Sequence, residues 1–172
     1  MSRRPSCRWH SAISCFEQLV ETVTLPFVNE VVHAHSGVDQ ISLTYDARIL
    51  RRKRLVSDGG TAFLVDLAET RSLGQGDAFK LDSGEVVAVV AAPETLLEVT
   101  GDLPRLAWHI GNRHTPCQVE KDRLLIQADH VLAGMLETLG AKVREVTEPF
   151  TPEGGAYGHG RTFGHSHSHS HD

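Results

Sequence analysis

Cysteine is scarce in this 172-residue chain: Cys7, Cys15 and Cys117, with no CxxC pair among them. That excludes a zinc ribbon and a redox dithiol. An odd, widely spread set fits a reducing compartment better than a disulfide scaffold. Long apolar runs are also missing. Nothing approaches the roughly 18 residues a membrane helix needs. The early arginines of "MSRRPSCRWHSAISCFEQLVETVTLPF" are followed by Glu17, Gln18 and Glu21 rather than by an uninterrupted apolar stretch. A secretory signal is therefore not expected, and the protein is read as cytoplasmic. Positive charge is not in excess either. Lys plus Arg is 17 against 22 for Asp plus Glu, a net charge of −5. That argues against a dominant nucleic-acid surface. Finally, the chain holds no GxxxxGK[ST], GxSxG or GxGxxG, so nucleotide and serine-hydrolase signatures are absent.

What is present is enough apolar residue, 40%, for a packed core of one medium or two small domains. Residues 1–30 read as an extension, disordered or a short amphipathic helix. From about residue 40 to 100 the pattern is that of short strands. "ISLTYDARI" alternates, with Ile41, Leu43, Tyr45, Ala47 and Ile49 on one face. "TAFLVDLA" follows the turn signal "SDGG", and "DAFKL" and "EVVAVVAA" form a hairpin around "DSG". A small all-β domain is expected over 31–97.

Helical spacing begins after "TLLEV". Leu103, Leu106, Ala107 and Ile110 share a face. "PCQVEKDRLLIQ" reads as two strands around the polar "EKD". "ADHVLAGMLETLG" is the clearest helix, with Asp129 as N-cap, Gly140 as the residue past its end, and Leu132, Met135, Leu136 and Leu139 on one side. "AKVREVTEPF" supplies a last strand. The order βαββαβ predicts a ferredoxin-like antiparallel sheet with two helices on one face, over 98–150. The fold class is thus α+β, ending in a disordered His-rich tail over 151–172.

Histidine is the residue in excess, eleven in all. His165, His167, His169 and His171 alternate with serine or glycine in "GHSHSHSHD", and His159 lies just upstream. Alternation places such side chains on one side of an extended segment. Neutral imidazoles on a movable chain suit Ni²⁺, Zn²⁺ or Cu²⁺. Ordering that chain costs about 1–2 kcal/mol per residue, so capture and hand-over fit better than permanent storage. A solvated polar tail or an expression tag is the plainer alternative.

A second constellation is "HIGNRH", His109 to His114. Five helical residues turn through about 500°, leaving the rings some 140° apart, so they do not share a helical face. This is not the HExxH pair of zinc hydrolases. A two-fold axis would instead bring two copies of one histidine together. Two further residues and one basic run have bland default readings. Cys117 reads as a structural strand cysteine, and His130 as part of a charged helix start. "RILRRKR", Arg48 to Arg54, reads as a basic strand edge guarded against aggregation, or a docking surface for an acidic partner.

"HIGNRHTPCQV", "DHVLAGMLETLGAKV" and "PFTPEGGAYGHG", followed by the His-rich tail, resemble the urease accessory protein UreE family. The resemblance covers roughly residues 40–172. It implies a non-enzymatic, cytoplasmic nickel metallochaperone, with Ni(II) as cargo and Zn(II) or Cu(II) as competitors. It implies a homodimer, with metal-linked higher oligomers as a further state, and an N-terminal domain that binds protein partners. It implies delivery to a urease maturation GTPase and the urease apoprotein complex. The implied ligands are His114 at the dimer interface, with His159, His165, His167, His169 and His171 from the tail. Some members carry an HxH pair where this chain has Ala128 and His130, so a second internal site is not expected. Cys117 stands where leucine is common. The competing readings are a metal-dependent hydrolase with a His-rich reservoir, and a protein that only sequesters nickel or zinc.

Overall fold

The computed structural model describes residues 25–34 and 37–154. Residues 155–172 of the expected tail and 1–24 of the expected N-terminal extension lie outside these residues. The architecture is mostly strand with two α-helices.

The first half forms two sheets. One has the order β1 (Phe27–Val28), β5 (Ala62–Ser72), β4 (Ile49–Val56). The other has the order β2 (Glu30–His33), β6 (Asp77–Lys80), β7 (Val86–Ala91), β3 (Asp39–Leu43). Strands therefore begin before residue 31, inside the stretch expected to be an extension. Alternate residues from both sheets meet in one core, in which Phe63 and Phe79 lie 5.5 Å apart between ring centroids. The "DSG" turn behaves as expected, with Gly84 at φ +88 joining antiparallel β6 and β7.

Two readings of this half are corrected. The strand through "ISLTYDARI" stops at Leu43, and Asp46–Arg48 form a 3-10 turn closed by Arg48 N–H to Thr44 O and Tyr45 O. The basic run is also not uniform. Arg51 to Arg54 are exposed on edge strand β4, where Arg52 pairs with Asp66, but Arg48 is only 2% exposed.

The second half runs β8 (Pro93–Thr100), α1 (Leu103–Gly111), β9 (Gln118–Val119), β10 (Leu124–Gln127), α2 (His130–Thr138), β11 (Lys142–Pro149). Its sheet is antiparallel throughout, in the order β11-β8-β10-β9. The change from one half to the other falls before Pro93, so the boundary expected at 97/98 cuts through β8. The helices cover one face, where Leu106, Ile110 and Leu136 pack on Leu97, Val99 and Ile126. Asp129 caps α2 by accepting from Val131 N and Leu132 N, and Gly140 takes φ +88 just past its end.

The opposite face of this sheet is divided. One part is apolar: Leu96, Leu125 and Phe150, with Tyr45 of the first half packed on them. Tyr45 N–H donates to Glu94 Oε1 at 2.7 Å, and its ring meets Phe150 edge-on at 5.4 Å. The Arg48 guanidinium donates to Phe150 O. Its Nε is the one buried side-chain N or O without a hydrogen-bond partner among the described residues. The two halves are thus joined by a packed, hydrogen-bonded junction.

The other part of that face is ionic. Arg144 donates to Glu98 at 2.6 and 2.8 Å, and Arg123 bridges Glu98, Glu120 and Glu148. Hydrogen bonds from Arg144 and Arg123 hold the Glu98 carboxyl down to about 2. A carboxylate lowered on folding stabilises above its unfolded pKa, and that contribution fades as pH falls toward the folded value. The melting temperature should fall between about pH 4.5 and pH 2, and the fall should be shallower in Glu98→Gln. An equal slope in both proteins would contradict this account of the network.

Candidate functional site: an exposed histidine on a helix-capping turn

The "GNRH" motif closes α1. The last four carbonyls of a helix lack partners within it. Here each is met from the turn that follows. Asn112 N–H donates to Trp108 O, Arg113 Nη1 to His109 O, Arg113 N–H to Ile110 O, and His114 N–H to Gly111 O, at 2.9 to 3.1 Å. His114 itself adopts φ +54, the only positive φ of a non-glycine residue among the described residues. That left-handed conformation costs an L-residue roughly 1–2 kcal/mol, and glycine is the usual occupant after a helix end. A strained non-glycine held by its surroundings is the kind of outlier that marks a site.

The His114 side chain is exposed, and its backbone is fixed by the cap. His109 is half-buried on α1, with its ring edge-to-face against Trp108 at 4.9 Å. The helix ends at Gly111, so the two rings are separated by the capping turn rather than by a helical rotation. His130 is the exposed first residue of α2. No group of three or more His, Cys, Asp or Glu gathers to hold a metal among the described residues. His159, His165, His167, His169 and His171 lie outside those residues.

Cys117 packs against the helix-side core. Burial, with help from the Glu153 carboxylate, pushes its thiol up to about 11. It is therefore a partly buried thiol that is protonated at neutral pH.

Two features of this region were missed in the sequence. Trp108 is 64% exposed, a large apolar surface beside the histidine-bearing turn. Its signal was available, because residue 108 lies about 200° from Leu106 on a helical projection, away from the packed face. The second is the path of the chain after β11. Thr151 N–H donates to Gln118 Oε1 at 2.7 Å, and Glu153 N–H donates to Cys117 O at 2.9 Å. The segment thus leaves the β11 edge and reaches the β9 edge, three residues from His114. No local pattern encodes that crossing.

Fold and site together define a two-part α+β protein that presents a histidine on an ordered turn, and the comparisons agree on what kind. Residues 20–92 match the N-terminal domain of the UreE urease accessory protein, and residues 85–172 match its C-terminal domain. A urease accessory protein UreE from Ruegeria pomeroyi is 64% identical over 136 residues, 78% of this chain and 91% of that protein. The one from Paracoccus denitrificans is 55% identical over 150 residues, 87% and 90% of the two chains. The one from Rhodobacter capsulatus is 60% identical over 131 residues, 76% and 84%. The chain belongs to the UreE family of urease accessory proteins.

Proposed function

We propose that this chain is a nickel carrier of urease maturation, cytoplasmic and not itself an enzyme. Two copies pair so that His114 of each faces one Ni(II) ion across a two-fold axis. The tail histidines His159, His165, His167, His169 and His171 capture the ion, complete its coordination and release it. The receiving partners are the urease maturation GTPase and the urease apoprotein complex.

The observation that carries this reading is His114: exposed, rigid at its backbone, and held at φ +54 by a cap that satisfies the end of α1. Two imidazoles, one from each copy, with open positions around the ion suit transfer, since a closed four-ligand cage holds its metal. Exposed Trp108, on the helix that this turn caps, supplies apolar area for a two-fold contact. Zn(II) and Cu(II) compete, because imidazole affinity alone does not favour nickel.

Imidazole ligands must be neutral to bind, so nickel affinity should fall as pH drops through about 6.5. A flat titration between pH 7.5 and 5.5 would contradict imidazole ligation. Delivery is separated from mere sequestration by deleting the protein in its own cell. Urease activity at limiting nickel should drop and recover when nickel is added in excess. Full activity at limiting nickel without the protein would leave sequestration as the better reading.

A further inference from the structure

The tail does not leave the body at the end of its last strand. Phe150 is fully buried under the sheet against Leu96, Leu125 and Tyr45. Arg48 donates to its carbonyl from the other half of the molecule. Gln118 then accepts from Thr151 N–H, and Cys117 O accepts from Glu153 N–H. Gln118 is itself oriented, because its Nε2 donates to Glu120 Oε1 at 2.7 Å and Arg123 holds Glu120 at 2.6 Å. Phe150, Thr151 and Glu153 are thereby tied across the sheet from β11 to β9.

The consequence is a matter of reach. Cys117 and His114 are three residues apart, at most about 10 Å along the chain. His159 is five residues beyond Gly154, at most about 17 Å along the chain. Released from the strap, the tail would start at Phe150, whose ring packs under β8 and β10, on a tether of nine residues rather than five. Once a tether exceeds the span it must cover, lengthening it lowers the effective concentration of tail imidazoles at His114.

We propose that residues 150–154 are a strap that roots the tail beside His114, with Gln118 as the positioning residue that holds it there for metal exchange. This rests on the carrier reading above. Gln118 touches no metal; it acts through Thr151 and the direction in which the chain departs.

The test uses four full-length chains: wild type, a tail variant with all five tail histidines changed to Gln, a strap variant carrying Gln118→Ala and Glu153→Pro, and the combination. Proline at 153 removes the N–H that Cys117 O accepts. Ni(II) alone is the probe, in calorimetry. The tail histidines should raise affinity in the wild-type background, and strap release should cut that gain at least threefold. In the tail variant, strap release should change nothing. Equal affinities for wild type and tail variant would overturn the carrier reading. A tail gain of the same size with and without the strap would overturn the strap alone. So would equal weakening in both backgrounds, which would mark a general structural role. Without metal, the Thr151 amide should exchange slowly in wild type and faster in Gln118→Ala; fast exchange in wild type would overturn the strap independently of nickel.

Discussion

Replacing His114 with alanine is expected to weaken the tightest nickel site by about a hundredfold or more, the loss expected when a first ligand is removed rather than its support. The fold should survive. The His114 side chain is exposed, and the one hydrogen bond the turn takes from this residue, N–H to Gly111 O, is retained by alanine. Alanine meets a left-handed backbone cost of the same order as histidine, so stability should change by no more than about 1 kcal/mol. Weaker binding by the tail should remain, because those histidines are untouched. Calorimetry that finds the tight site unchanged in His114→Ala would contradict the account.

The largest expected effect on stability is at Phe150. This ring is fully buried between Leu96, Leu125 and Tyr45, where the two halves meet. Deleting a buried phenylalanine costs about 3–5 kcal/mol, part lost transfer energy and part cavity. Collapse is restricted here, because Arg48 is itself buried and committed to the Phe150 carbonyl. Phe150→Ala should therefore lower the melting temperature by roughly 10 °C for a chain of this size. It should also loosen the root of the tail. A cost below about 1 kcal/mol, within the range of ordinary surface changes, would show that the junction is not packed as described.

Much of the second half was legible because its signals are local. Asp129 and Gly140 bracket α2, and both cap as their residue types dictate. The spacing of Leu103, Leu106, Ala107 and Ile110 identified the packed face of α1. The first half was less so. Tyr45 and Ala47 continue the alternation of β3, yet the chain turns at Thr44 because Tyr45 is wanted on Phe150, more than a hundred residues away. Arg48 sits in a run of arginines that looks uniformly solvated. Only the junction reveals that this one is buried.

The site divides in the same way. His114 was singled out by motif, but its φ of +54 was not foreseen, since glycine is the usual left-handed residue after a helix end. Trp108 was visible on a helical projection. The strap was not, because Thr151 to Gln118 and Glu153 to Cys117 are pairings across more than thirty residues, made largely by the main chain. Main-chain pairings at that separation leave no periodicity to read.

The central claim is that one fixed histidine from each of two copies forms the tight nickel site. Titrating the full-length chain with Ni(II) while recording its mass in solution tests this directly. The account predicts a dimer that takes up one tightly held ion per pair of chains before weaker sites fill, and loss of that first ion in His114→Ala. A monomer at saturating nickel, or a first ion retained without His114, would contradict it.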